Sequence, residues 1–287
     1  METLYAAVDI SGSKITAALG TAGGKLLFNE TSELPPAETP QATLAAITAM
    51  VDSLAATAGA KPASLGIAMP NLTPEWRAYP IQAFLEHSLG IHVRLLHGAR
   101  CATLAERVYG HGLEYPTFVL FTLDRSISGG VVVNGRLRLG PNTAAGEFGH
   151  MTVMPSGPVC GCGNAGCLDV FASGAAIARA AGYADWSEAG GASRAGDDGA
   201  QRAIREAGLY LGIAAANLVI ALHPDAILFG GPMSIWVDLL LLPVRTVVND
   251  RVRTLPAQEV AVRRAATGAD AALLGALALN IATREIL

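Results

Sequence analysis

Gly146-Glu147-Phe148-Gly149-His150, and after it Cys160-Gly161-Cys162-Gly163-Asn164-Ala165-Gly166-Cys167-Leu168-Asp169, is the most informative stretch of this chain. Within 24 residues it holds three of the four cysteines, one of the six histidines and two carboxylates. The spacing H-x9-C-x-C-x4-C reads as a closed Cys3His zinc site, with His150, Cys160, Cys162 and Cys167 as ligands. Structural zinc is four-coordinate and favours such sets. Gly161, Gly163 and Gly166 let the backbone turn tightly enough for nearby thiols to face one ion. Three free core cysteines, or a disulfide, are the other readings of the same residues.

At 287 residues the chain has the length for two domains. Hydrophobic residues make up 51% and the net charge is −4, with no basic block, so no nucleic-acid footprint is expected. No apolar run reaches the length of a membrane span. The richest region, residues 213–242, is interrupted by Asn217, His223, Pro224, Asp225 and Asp238. Met1-Glu2-Thr3-Leu4 lacks a basic start and an apolar core, so no signal peptide is expected. A cytoplasmic location follows as the expectation, and a reducing compartment suits thiolate ligands.

The order of patterns is strand and helix in alternation. Strands are expected over residues 4–10, 15–20, 26–31, 64–69, 93–96, 117–123, 225–229 and 260–263. A hairpin of 130–133 with 136–139 is expected about Asn134-Gly135. Helices are expected over 39–58, 81–89, 173–181 with Ser173 as cap, 199–222, 239–251 and 270–283. Residues 35–40 form a proline-rich connector, and the Gly-, Ala- and Ser-rich region 185–198 reads as a loop.

The run from Gly146 to Ser173 resembles the signature of the ROK family of bacterial sugar kinases and sugar-responsive repressors, and the resemblance extends over nearly the whole chain. It implies an α/β fold of the two-domain actin-like ATPase and sugar-kinase (ribonuclease H-like) type with an inter-domain cleft. The N-terminal domain is expected over 1–110, joined by the C-terminal helix at about 270–287. The second domain, with the zinc element, is expected over 111–269. By position, Glu147, His150 and Asp169 correspond to sugar-binding residues, with aspartate at 169 where the family usually has glutamate. Asp9-Ile10-Ser11-Gly12-Ser13-Lys14 is similar to the first phosphate loop, which makes Asp9, Gly12 and Lys14 candidate nucleotide-binding residues. Small residues there let backbone N–H groups approach a phosphate, and an aspartate organises Mg²⁺. Gly230-Gly231 stands where relatives approach the adenine nucleotide.

Three departures from the family pattern bear on activity. At Leu96-His97-Gly98-Ala99-Arg100-Cys101-Ala102, relatives carry Asn-Asp, and the Asp is the general base; here Gly98 stands at that position, and glycine accepts no proton. His97 and Asp124 are the candidate substitutes. The second phosphate loop reads Asp124-Arg125-Ser126-Ile127-Ser128-Gly129-Gly130 in place of a glycine-rich run. Pro70-Asn71-Leu72-Thr73-Pro74-Glu75-Trp76 follows a strand at once, where relatives insert about a dozen residues of pocket wall. The expected function is therefore a ROK-family sugar kinase-like protein. Its ancestry is ATP-dependent phosphorylation of a hexose or N-acylhexosamine, and it is catalytically silent or severely impaired. The alternative is an active kinase of the glucokinase or N-acylhexosamine kinase type with a substitute base. Structural Zn²⁺ is expected, Mg-ATP only in the active case. The expected partners are a small-molecule sugar and, by analogy, a second copy of the chain. Neither membrane nor DNA is expected, because the chain starts at its first strand without a helix-turn-helix.

Overall fold

The computed structural model describes residues 2–34, 39–254, 259–283 and 285–287. The chain divides into two compact units, Met1–Tyr109 with Asp270–Leu287, and Gly110–Ala269. Most of the connector expected at 35–40 lies at 35–38, outside the described residues.

The first unit is built on β1 (Leu4–Ser11), β2 (Lys14–Thr21) and β3 (Leu26–Glu33), then α1 (Pro40–Ala58) and β4 (Ser64–Met69). It continues with α2 (Pro74–Ala78), α3 (Ile81–Leu89), β5 (His92–His97) and α4 (Gly98–Tyr109). The alternating Ala, Val and Ile of β1 and β4 are buried on both faces, as expected for the centre of a sheet covered on two sides. Thr39 caps α1, its Oγ accepting from Ala42 N. Leu44, Ile47, Val51 and Leu54 then fall on one helical face and enter the core.

The second unit runs through β6 (Phe118–Leu123), β7 (Ile127–Val133) and β8 (Arg136–Arg138) to α5 (Asp169–Ala172), α6 (Gly174–Ala181), α7 (Trp186–Arg194) and α8 (Asp198–Leu222). Next come β9 (Ala226–Gly230), α9 (Val237–Arg251) and β10 (Ala261–Arg264). The chain closes in the first unit with α10 (Ala271–Leu279). There Asn280 Nδ2 donates to Ala6 O at 2.9 Å, and Arg94 Nη1 donates to Ala282 O at 2.8 Å.

The two sheets have the same order. The first is β3-β2-β1-β4-β5 and the second, read from its other end, is β8-β7-β6-β9-β10. In each, the first three strands form an antiparallel meander, and the fourth and fifth lie parallel to the first strand. The β1–β2 turn, Gly12-Ser13, is thus the topological equivalent of the β6–β7 turn at Asp124–Ser126. The ends of β4 and β5 likewise correspond to the ends of β9 and β10.

Two expectations need correction. Residues 186–194 are a helix, not a loop: Asp185 caps it, accepting from Ser187 N and Glu188 N, and Gly190 lies against the Trp236 ring, where a Cβ would collide. Gly190, one of the glycines that argued for a loop, is there for close packing. Strand β7 also begins three residues earlier than expected, at Ile127, because it pairs with Leu123 across the turn. Among the described residues one helix, Asp198–Leu222, has the length and composition to cross a membrane. In this unit it is a core helix, burying Ile204, Leu211, Ala215 and Val219 beside Val244 and Val248 of α9.

Candidate sugar, metal and phosphate sites

The motif Glu147–His150 is anchored by Phe148, which is buried and packs on Phe121 of β6 with ring centroids 5.0 Å apart. Residues 148–150 form a single 3-10 turn. The chain then pairs with itself: Leu168 N donates to Met151 O and Val153 N to Gly166 O, both at 2.8 Å. Isolated bridges join Thr152 to Cys167 and Val159 to Ala165. A tight turn, with Cys160 N donating to Asn164 O at 2.7 Å, closes the tip. Gly166 sits at φ +68 where a Cβ would overlap Met154 O, so this pairing requires glycine.

The pairing brings together His150, Cys160, Cys162 and Cys167, whose ligand atoms all lie within 4.8 Å of one another. Cys160 Sγ is 3.7 Å from His150 Nδ1, and Cys162 Sγ is 3.7 Å from Cys167 Sγ. A tetrahedral zinc separates two sulfurs by about 3.8 Å, and sulfur from nitrogen by about 3.6 Å. The donor set and its spacing therefore fit zinc, with His150 ligating through Nδ1. Burial pushes the Cys167 thiol up to about 12, with the Cys162 and Cys160 sulfurs adding to it. A hydrogen bond from the Asn164 backbone pulls the Cys162 thiol down. A divalent ion held there would displace the thiol protons.

Glu147, His150 and Asp169 lie in one neighbourhood. Burial raises the Asp169 carboxyl above its ordinary value; the Ile127 amide and then His150 pull it down, and Glu147 pushes it up. Asp169 Oδ1 accepts from Ile127 N at 2.6 Å, so this residue also holds the start of β7. No signal in the sequence pointed to that second task, because the partner is a backbone amide 42 residues away.

The turn at Asp124–Ser126 lies across the start of α6. Gly174 N donates to Asp124 O at 2.8 Å, Ala175 N to Arg125 O at 3.3 Å, and Ala176 N to Ser173 Oγ at 3.2 Å. The first three N–H groups of that helix thus have acceptors within the chain. Beside the turn is a pocket of about 400 Å³ lined by Arg125, Arg179, Tyr183, Asp185 and Trp186. Gly230 and Gly231 end β9. Gly231 has φ +87, and a Cβ there would meet Leu123 O at 2.7 Å, so the glycine serves close approach of β9 to β6.

In the first unit, Ser11 Oγ donates to Asp9 Oδ2 at 3.0 Å, and Gly12 takes φ +58 in the β1–β2 turn. Lys14 is exposed, with Nζ 3.8 Å from Glu33 of β3. At the carboxyl ends of β4 and β5, His97 Nδ1 lies 3.0 Å from Arg100 Nη1 and 3.3 Å from Ala99 N, and His97 Nε2 lies 3.0 Å from Asn71 Oδ1. Arg100 is 1% exposed. Gly98 opens α4, and the place of its missing Cβ has only Met69 O nearby, at 3.7 Å. Sequence reasoning assigned no role to Asn71 or Arg100; a polar residue two positions after an apolar strand, and an arginine on the buried face of an alanine-rich helix, were the available signals.

A model of the ROK family matches residues 5–283. A glucokinase of Streptomyces coelicolor is 30% identical over 274 residues, covering 83% of this chain and 84% of that one. An N-acetylmannosamine kinase of Escherichia coli is 32% identical over 253 residues, covering 82% and 85%. Among solved structures, a ROK family glucokinase from Streptomyces griseus, in complex with glucose and AMPPNP, superimposes with a TM-score of 0.83 at 28% identity. That match covers 96% of this chain and 98% of the other.

Proposed function

The chain belongs to the ROK family, and from that premise we propose that it is a sugar-binding protein on a kinase scaffold, catalytically silent or severely impaired in phosphoryl transfer. Its fold is the two-domain actin-like ATPase and sugar-kinase fold. Glu147, His150 and Asp169 are the residues that hold the sugar hydroxyls. His150, Cys160, Cys162 and Cys167 hold a structural zinc, which fixes the His150 ring through Nδ1 and leaves Nε2 for the ligand.

The observation that carries this reading is that neither Gly98 nor His97, at the end of β5, presents a proton acceptor. Gly98 has no side chain. The Nδ1 lone pair of His97 already faces Arg100 Nη1 and Ala99 N, both obligate donors, so the ring proton sits on Nε2. A general base needs a lone pair within reach of the hydroxyl it deprotonates, and neither of these two residues offers one. The second unit supports the same reading: the α6 amides face Asp124 O, Arg125 O and Ser173 Oγ, not an incoming phosphate.

A second reading is an active kinase of the glucokinase or N-acetylmannosamine kinase type, with Asp124 as the substitute base. It is favoured by the hairpin turn of Asp9, Gly12 and Lys14 and by the Gly230-Gly231 turn, both formed here, and by the relatives' being a glucokinase and an N-acetylmannosamine kinase. Titration calorimetry with Mg-ATP, with and without a panel of hexoses and hexosamines, paired with a coupled turnover assay, separates the two. Sugar binding without turnover is the expected result. Turnover of any sugar overturns the silent reading.

A further inference from the structure

Arg125 carries an exposed guanidinium to which sugar binding gives no task. Its backbone is tied to the start of α6, where Gly174 N donates to Asp124 O and Ala175 N to Arg125 O. Its side chain lines the pocket of about 400 Å³ in the second unit, a volume in the range of small-molecule sites. Ala175, Ala178 and Arg179 follow one another at helical spacing on one face of α6, and they add small side chains and a second guanidinium to the lining. Tyr183 and Trp186 add two aromatic rings. Both are half-buried and packed on the core of the unit, and a Cβ on Gly174 would lie 2.7 Å from the Trp186 ring. These walls are set before any ligand arrives. Among the described residues neither guanidinium has an ion-pair partner, and Arg179 Nη2 donates only to Val170 O, at 3.2 Å. Asp185 is the one carboxylate in the lining, and its Oδ1 already accepts from Ser187 N and Glu188 N. Two positive charges thus stand against one negative. A further carboxylate, Glu188, is bonded to the Ala184 amide, so a polyanion meets more repulsion here than a monoanion does.

We propose that this pocket binds a flat organic monocarboxylate, with its carboxylate on Arg125 and Arg179 and its ring against Trp186, Tyr183 and the alanines of α6. A guanidinium fork matches a carboxylate, and aromatic and alanine surfaces take up a planar apolar body. The single excess positive charge suits one negative charge. Arg125 stands in a run that is glycine-rich in the family pattern, so the site is this chain's own. None of Glu147, His150 and Asp169 lines it, and the proposal stands independently of the sugar-binding reading.

The test is titration of the full chain, of Arg125→Gln and of Arg179→Gln with 2-naphthoate, 2-naphthamide and 2-naphthyl phosphate, followed by ¹H–¹⁵N spectra. Naphthoate should shift the Trp186 indole and the amides of residues 175–178. It should bind about tenfold or more tightly than naphthamide, which has the same ring and no charge. Each variant should weaken naphthoate about tenfold and leave naphthamide nearly unchanged. Arg179→Gln also loses the bond to Val170 O, so Arg125→Gln, at an exposed side chain, is the deciding variant, and its Tm should equal that of the parent. Naphthyl phosphate should bind no more tightly than naphthoate. Failure of naphthoate to bind, equal affinity for the amide, unchanged affinity in Arg125→Gln or shifts confined to other residues would overturn the inference. Tighter binding of the phosphate would overturn the choice of a monoanion, and displacement of naphthoate by Mg-ATP would give the pocket to a nucleotide instead.

Discussion

Replacing Gly98 by aspartate tests the local geometry and the silence of the protein together. The φ of Gly98 lies outside the left-handed region, and a Cβ would meet only Met69 O at an ordinary 3.7 Å, so the backbone accepts the side chain without strain. Removing a glycine from the unfolded ensemble contributes about 0.4–1 kcal/mol. A carboxylate in the first turn of α4 contributes about 0.3–1 kcal/mol more through the helix dipole. Asp9, whose charge reaches Cys101 in the same helix, opposes this. The net is a stabilisation of about 0.5–1.5 kcal/mol, or a rise in Tm of about 1–5 °C for a chain of this size. Differential scanning calorimetry reads the first expectation and a coupled ADP assay the second, which is no detectable sugar phosphorylation. A fall in Tm of several degrees would refute the steric reasoning. A gain of turnover approaching the roughly 10²- to 10⁴-fold of a general base would refute the claim that the Asp124–Ser126 turn also blocks transfer.

Chelation should remove a divalent ion from the Cys3His cluster and lower the thermal stability of the second unit; unchanged metal content and Tm would rule out the zinc assignment. Asp169→Asn keeps the shape but replaces a charged acceptor of the Ile127 amide, and should cost about 1–3 kcal/mol in denaturant unfolding, with faster hydrogen exchange at Ile127. Unchanged exchange at that amide would show that the bond holds nothing. Glu86 accepts from Val93 N, Gln82 and His92, and the first of these bonds chiefly lowers its carboxyl below the ordinary value. A depressed folded-state value means that its stabilisation is present above the unfolded pKa and is lost as pH falls through the folded one. Glu86→Gln should therefore be less stable than the parent at neutral pH and equal to it in acid; a gap that stays constant across that range would refute the assignment.

Much of the fold was legible because its signals are local. The apolar strands 4–10 and 64–69, the helix from Thr39, the helix capped by Ser173 and the Asn134-Gly135 turn each depend on neighbours in sequence. The metal cluster was legible for the same reason, since all four ligands fall in one short run. Helix 186–194 was not, because its glycines disfavour a helix locally, and the one at 190 is needed only by Trp236, some 46 residues away. Lys14 reads as a phosphate ligand from its motif, but the β2–β3 register sets it opposite Glu33.

Residue identity by itself determined that Gly98 cannot accept a proton, since no arrangement adds a side chain. It left His97 open, because an imidazole can donate or accept at either nitrogen. Only the tertiary structure decided that question, by packing α4 so that the Arg100 guanidinium faces Nδ1 and the segment after β4 so that Asn71 faces Nε2. Which atom carries a proton depends on the groups that meet it in space, and those come from two separate segments of the chain, residue 71 and residues 97–100.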